Sequence, residues 1–321
     1  MGDVIKGFLS EDKDSLNNGC SWIPRKRFFF MEFIIGQKTK GRRERMDRDL
    51  SYWKERWRKE EGERERCDQQ GFWDNRADFF NGKVFTEEKL GSEIVNHLKS
   101  KNMLTRDMEV LDIGCGPGKH TLPLAREVKR VTALDISENM LEHLRKNMKK
   151  TKLFNIDPLH LDWKDGDLKK LHWEKAFDLV FASMTPGVFN YETLEKMVKA
   201  GKQYAYLSGF VKRKDEVGDE IFRFFERSHG VSAKKQNKVY YAFNILWQWG
   251  YTPEVEYIHR TWEDEFTSEE AYALYRDKLA AVTTLLEEDR EKIKEILKSF
   301  EKEGKITEKT EVTQGLLTWK L

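Results

Sequence analysis

The residues best suited to do chemistry lie in one run, Glu109-Val110-Leu111-Asp112-Ile113-Gly114-Cys115-Gly116-Pro117-Gly118-Lys119-His120-Thr121. Val110, Leu111 and Ile113 read as a buried parallel strand. Gly114, Gly116 and Gly118 then form a tight turn into a helix expected from about Thr121. Glycine carries no Cβ, so the backbone here can lie close against a ligand. A strand, a glycine turn and a helix N-terminus together suit an adenosine-type cofactor. The spacing is G-x-G-x-G, not the G-x-G-x-x-G of dinucleotide sites. Asp112, just before the first glycine, would repel a pyrophosphate and suits a cofactor with a cationic amino-acid end. That argues against an NAD-type dehydrogenase.

The elements that must position this turn can be read on either side of it. A second strand, Arg130 to Asp135, ends in a carboxylate about twenty residues beyond the glycines, where a group accepting from ribose hydroxyls belongs. Its two oxygens can accept from both hydroxyls together. Ser137 then caps a helix, Glu138 to Lys149, with Met140, Leu141 and Leu144 facing inward. A third strand, Ile156 to Leu161, ends in Asp162-Trp163. The fourth, Phe177 to Ser183, delivers Ser183-Met184-Thr185-Pro186-Gly187-Val188 to the end of the sheet where open α/β folds place reacting groups.

Asp112 with Gly114, Gly116 and Gly118 resembles motif I, D/E-x-G-x-G-x-G, of the class I S-adenosylmethionine (SAM) dependent methyltransferases. Asp135-Ile136-Ser137-Glu138-Asn139-Met140-Leu141 resembles that family's D-x-S-x-x-M-L. The W-D-x-R-A-x-x-F segment around Trp73 and Asp74 resembles its N-terminal cap helix. The resemblance runs from about Phe72 to Phe210 and more loosely to Leu321. It implies SAM as cofactor and S-adenosylhomocysteine as product. It places Asp112 near the methionine moiety, with Gly114, Cys115, Gly116 and Gly118 passing beneath the cofactor. It further implies cofactor contacts from Asp135, Ile136 and Met140, adenine contacts from Asp162 and Trp163, and contacts from Ser183 and Met184. Trp73 would cover the site. The implied fold is α/β: a seven-stranded, mostly parallel sheet with helices on both faces, closed by an antiparallel last strand. Ser183-Met184-Thr185-Pro186 is neither D-P-P-Y nor N-P-P-Y and lacks a Pro-Cys pair, so it names no acceptor.

The chain has 321 residues, 36% of them charged, with a net charge of +2. That balance gives no global argument for nucleic acid. Cys20, Cys67 and Cys115 are widely spaced, which fits neither a disulfide framework nor a zinc site, and suits a reducing cytoplasm. The seven histidines form no H-x-x-x-H pair, so no metal is expected. The longest apolar run, Phe28 to Ile35, is too short to span a bilayer and contains Glu32. No cleavage site for a signal peptide follows it.

Three regions are expected. Residues 1–45 form an extension ending in Lys38, Lys40, Arg42, Arg43 and Arg45, either a mobile arm or a basic arm for RNA or an acidic membrane surface. Residues 46–104 form a helical cap, with Trp53 and Trp57 on one helix face and Thr86 capping a helix to Ser100. Residues 105–321 form the SAM domain, with a substrate-covering insertion at about 216–250 and a helical insertion at about 267–303. The aromatic stripe Val239 to Trp249 suits either a core or the wall of an apolar acceptor site. A general base is needed only for a protonated acceptor. Tyr240, Tyr241, His229 and His120 are candidates, and none is assigned.

The leading expectation is therefore a SAM-dependent methyltransferase acting on a small molecule. An RNA methyltransferase using the basic arm and a non-catalytic SAM-binding module are the alternatives.

Overall fold

The computed structural model describes residues 49–59, 69–86, 88–229, 238–280 and 283–321, without the side chains of 69, 86 and 88–90. All of these fall in one compact unit. The extension at 1–45 and its basic cluster lie outside them, as do Cys20 and Cys67.

The sheet is built from alternating apolar residues. β1 (Glu109–Ile113) pairs in parallel with β2 (Arg130–Asp135) on one side and β4 (Phe177–Ser183) on the other. β3 (Ile156–His160) adds beyond β2, and β5 (Gly201–Asp215) beyond β4, both parallel. Successive side chains of a strand point to opposite faces. Leu111, Ile113, Val180, Ala182, Ala205 and Leu207 accordingly enter one hydrophobic core. Val110, Leu179, Phe181 and Tyr206 enter the other. Helices cover both: α4 (Glu88–Ser100), α5 (Thr121–Ala125) and α6 (Glu138–Thr151) on the second core, α7 (Tyr191–Ala200) and α9 (Lys238–Gln248) on the first.

The last long strand, β8 (Lys305–Lys320), runs antiparallel and inserts between β5 and β6 (Glu254–Thr267). The order is thus β3-β2-β1-β4-β5-β8-β6. The expected seven strands and mostly parallel sheet are present, and a two-residue strand, β7 (Glu301–Lys302), adds to the end of β8. The antiparallel strand does not close the sheet: β6 is the edge.

β5, β6 and β8 are long strands of 15, 14 and 16 residues. Their outer halves carry a third core with α8 (Glu216–His229), α10 (Ser268–Ala280) and α11 (Glu287–Phe300). The inward residues of outer β8 are Ile306, Glu308, Thr310 and Val312. Glu308 is buried with Asp215. Arg213 pairs with both, at 3.4 and 3.1 Å, and the Tyr275 hydroxyl lies within hydrogen-bond distance of both, with one hydrogen to give.

The cap is made by α1 (residues 49–59), α2 (Gln69–Asp74) and α3 (Ala77–Thr86). α4, expected within it, instead belongs to the sheet's helical layer through Ile94, Val95 and Leu98. Thr86 ends α3, and its side chain lies outside the described residues. Trp57 stacks on Tyr241 with ring centroids 5.8 Å apart, and Trp53 meets Tyr240 edge-on at 5.3 Å. α1 is thereby held against α9. α3 is held against α6 by the Asn147 amide donating to Asn81 Oδ1 at 2.9 Å. Among the described residues no helix is long and apolar enough to cross a membrane.

Candidate active site

The connection after β1 runs to β2 on one side and the connection after β3 returns to β4 on the other side of β1, so a crevice opens beyond their C-terminal ends. The structure has a cavity of about 930 Å3 there. The glycine turn forms part of its wall, and the three glycines serve different ends. A Cβ on Gly114 would lie 1.9 Å from Thr185 Oγ1, so this glycine lets the loop after β4 close against the turn. A Cβ on Gly118 would strike Leu144 Cδ1 at 2.7 Å, so this one lets α6 pack. A Cβ on Gly116 would meet only Met140 Sδ, at 4.0 Å. Gly116 lies on the cavity wall with space before it.

Asp135 is also on the wall. Its Oδ2 accepts from the Gly116 N–H at 2.8 Å and its Oδ1 from the Ser137 N–H at 2.9 Å. Burial pushes this carboxyl up, while those backbone donors work against the rise. A carboxylate offers about four lone-pair positions, so acceptor capacity remains for ligand hydroxyls. Ser137 caps α6 as expected, accepting from Met140 N–H. Its hydroxyl donates to Asp74 Oδ1 at 2.5 Å, which fastens α2 over the site.

Gly114, Cys115, Gly116, Asp135, Ile136, Met140, Asp162, Trp163, Ser183, Met184 and Trp73 all line the cavity. Asp112 and Gly118, expected there, are not among the lining residues. Asp112 is buried behind the turn and accepts from Thr121 Oγ1 at 2.7 Å. Its burial, with the Asp135 charge nearby, holds its carboxyl at about 7. Asp162 is engaged by its own turn, accepting from the Lys164 N–H at 3.0 Å and pairing with Lys164 Nζ at 3.1 Å. Trp163 donates through Nε1 to the Thr193 carbonyl. Burial and the carboxylates of Asp135 and Asp112 push the Cys115 thiol well above its usual range, which disfavours the thiolate.

A family profile described as a methyltransferase domain matches residues 110–204. The chain belongs to the class I SAM-dependent methyltransferases. This methyltransferase is 31% identical over 207 residues to an uncharacterized protein of Haemophilus influenzae, which covers 63% of this chain and 70% of that one. It is 23% identical over 140 residues to the probable SAM-dependent methyltransferase TehB of the same organism, covering 44% of this chain and 45% of TehB. A solved putative methyltransferase from Bacillus halodurans superposes with a TM-score of 0.45 at 13% identity, over 70% of this chain and 97% of that one.

Within the methyltransferase cavity, three groups had no signal in the sequence. Arg58 reaches it from α1 and lies 3.9 Å from Glu192 of α7. Lys83 reaches it from α3 while pairing with Asp264 of β6 at 2.8 Å. Phe189, in the loop after β4, adds aromatic wall beside Phe80, the last residue of the W-D-x-R-A-x-x-F segment. Arg58, Lys83 and Phe189 carry no motif, and the folding of α1 and α3 over the sheet brings in the first two. The described residues of 216–250 do not line the cavity, contrary to the substrate-covering role expected for that insertion. Its aromatic helix α9 buries Val239, Tyr241, Ala242, Ile245 and Leu246 in the core. The cover comes from α1–α3.

Of the four candidate bases, Tyr240 is half exposed beside Trp53, Tyr241 is buried beneath Trp57, and His229 pairs with Asp289 at 3.2 Å. His120 alone among them lines the cavity. Burial, with Lys119 and Arg260 nearby, lowers its pKa to about 3, so the ring is neutral. Met184, at the end of β4, adopts a left-handed φ of 54°. That conformation is strained for a side chain of this size.

Proposed function

We propose that this enzyme transfers the methyl group of SAM to a small acceptor held in the same cavity. The carrying observation is the cavity itself. Its volume lies at the top of the ~300–1,000 Å3 range for small-molecule sites, which suits two small ligands meeting under one cover. When bound, SAM would supply the electrophilic methyl group. The residues present fit that cofactor: Gly116 leaves the space that a Cβ would fill, and Asp135 keeps lone pairs for the ribose. Ile136, Met140, Asp162 and Trp163 would line the adenosine part, with Ser183 and Met184 at the transfer end.

The protein's task is then to orient the acceptor and exclude water. Trp73, Phe80 and Phe189 supply apolar wall for this, and α2 is fastened by Asp74. His120 is too weakly basic to take a proton from an ordinary acceptor at neutral pH. An acceptor that attacks without prior deprotonation by the protein fits this site. A reducing, cytoplasmic setting fits the free, buried thiol of Cys115.

The relatives do not agree on an acceptor. Two of them are probable cobalt-precorrin-6B methyltransferases, and another methylates a uracil of 23S rRNA. The test is incubation with methyl-labelled SAM and two fractions of cell extract, dialysable metabolites and macromolecules, followed by mass spectrometry. Label in the dialysable fraction is the expected result. Label confined to RNA or protein refutes the proposal, and binding without turnover in either fraction points to a non-catalytic module.

A further inference from the structure

Two lysines hold the cavity walls from behind. Both stand on helices that cover the first core, and neither lines the cavity. Lys196 of α7 donates through Nζ to the carbonyls of Trp163 and Lys164, at 2.9 Å each. Lys238, at the start of α9, donates through Nζ to the carbonyl of Thr185 at 2.7 Å. Trp163, Lys164 and Thr185 all line the cavity, the first two in the loop after β3 and the third in the loop after β4.

A charged donor makes a stronger hydrogen bond to a carbonyl than a neutral one does. Burial lowers the pKa of Lys196, and Asp165, Asp162 and Asp167 oppose the change, yet its two hydrogen bonds go to backbone oxygens. The path of Lys238 is built into the sheet. A Cβ on Gly209 of β5 would lie 2.8 Å from Lys238 Cε and 3.6 Å from its Nζ. Gly209 sits in an extended strand without a left-handed φ, so the close approach of the lysine accounts for a glycine there. Gly315, its partner on β8, leaves room for the next residue of α9: a Cβ would meet Val239 Cγ1 at 3.1 Å.

The two loops need holding for different reasons. The loop after β3 is tied to α7 by Lys196 and again by Trp163 Nε1. The loop after β4 contains the left-handed Met184, a conformation that persists only where its surroundings fix it. Ser208 Oγ takes the Met184 N–H at 3.2 Å and Thr185 Oγ1 takes the Gly187 N–H at 3.0 Å. Lys238 secures the carbonyl between them.

We propose that Lys196 and Lys238 are positioning residues for methyl transfer that act through the backbone. Lys196 fixes the wall that receives the adenosine part of the cofactor. Lys238 fixes the wall at the transfer end, against which the acceptor aligns. Small displacements of such a wall are costly, because the acceptor must point along the methyl–sulfur bond. This division of labour rests on the cofactor reading above, whereas the hold of each lysine on its own loop does not.

The hold is tested on the ligand-free full chain by hydrogen–deuterium exchange with mass spectrometry. Exchange should quicken about tenfold across 161–166 in Lys196→Met and across 183–189 in Lys238→Met, each leaving the other loop unchanged. Parent-like exchange in the variant's own loop overturns the role of that lysine. Gly209→Ala is a second route that leaves the lysine in place. Its Cβ displaces only the flexible end of Lys238, so it should loosen 183–189 as Lys238→Met does, with little loss of Tm. Combining the two changes should add nothing, and an additive effect overturns the hold on Thr185.

The division of labour is tested by calorimetry with S-adenosylhomocysteine and by turnover of methyl-labelled SAM, read on whichever extract fraction takes the label. Lys196→Met should weaken S-adenosylhomocysteine about tenfold. Lys238→Met and Gly209→Ala should leave that affinity unchanged and lower kcat at saturating SAM about tenfold. Equal losses of affinity and turnover in Lys238→Met, or a loss of turnover alone in Lys196→Met, overturn the division. Failure of the parent protein to bind S-adenosylhomocysteine sinks the cofactor reading and leaves the exchange result standing.

Discussion

Replacing Asp112 by asparagine should make the ligand-free protein more stable, by an amount that depends on pH. Asp112 is 2% exposed and accepts one side-chain hydrogen bond, from Thr121. Burial raises its carboxyl from 3.8 to about 7, the Asp135 charge adds to the rise, and the Thr121 hydrogen bond opposes it. A group with a higher pKa in the folded state confers stability that is complete below its unfolded pKa, about 4. That stability is lost as pH rises through about 7. At roughly 1.36 kcal/mol per tenfold, the loss reaches about 4 kcal/mol by pH 8 and about 1 kcal/mol at pH 4.5. Asp112→Asn keeps an oxygen for Thr121 and removes the charge. It should therefore stabilise the protein by up to those amounts. At about 2 °C per kcal/mol for a chain of this size, Tm rises by about 8 °C at pH 8 and by about 2 °C at pH 4.5. Thermal unfolding followed by circular dichroism at the two pH values measures both. An equal rise at both, or a fall at pH 8, refutes the reasoning that an ionisable carboxyl is held dry behind the glycine turn.

Three further outcomes follow from the site. Gly116→Val should abolish detectable SAM binding by calorimetry and lower Tm only through its own φ of 55°, whereas Gly118→Ala should lower Tm through Leu144 as well as its φ of 102° and retain binding. The reverse pattern would mean that the cofactor does not pass Gly116. Asp135→Ala removes charge-assisted hydrogen bonds worth roughly 1.5–3 kcal/mol each, so SAM should weaken at least about tenfold. An unchanged Kd would move the ribose contact elsewhere. Asp74→Ala unfastens α2 from Ser137, and SAM affinity should drop several-fold while the sheet stays folded. Parent-like affinity would show that the cap does not cover the cofactor.

The local order of the chain was written in its sequence. The apolar runs of Val110 to Ile113 and Phe177 to Ser183 and the Ser137 cap are short-range patterns, and each element appears within a residue or two of its expected place. The wall from Gly114 to Gly116, and from Asp135 to Met140, was legible for the same reason: a strand end and the turn after it carry their own geometry. Elsewhere tertiary packing decided. The buried face of the outer halves of β5 and β8 holds Asp215 and Glu308, made tolerable by Arg213 of β5 and by Tyr275 and Lys278 of the distant α10. The stripe of α9 became core, not acceptor wall, because α1 laid Trp53 and Trp57 across it. Asp112, on β1, lies off the cavity wall, and His120, at the end of the turn that follows, lines it. A sequence shows that a residue adjoins a turn, but which way its side chain points depends on what packs behind it. Thr121 draws Asp112 inward, and Ser183, 63 residues from His120, lies beside its ring at the cavity wall.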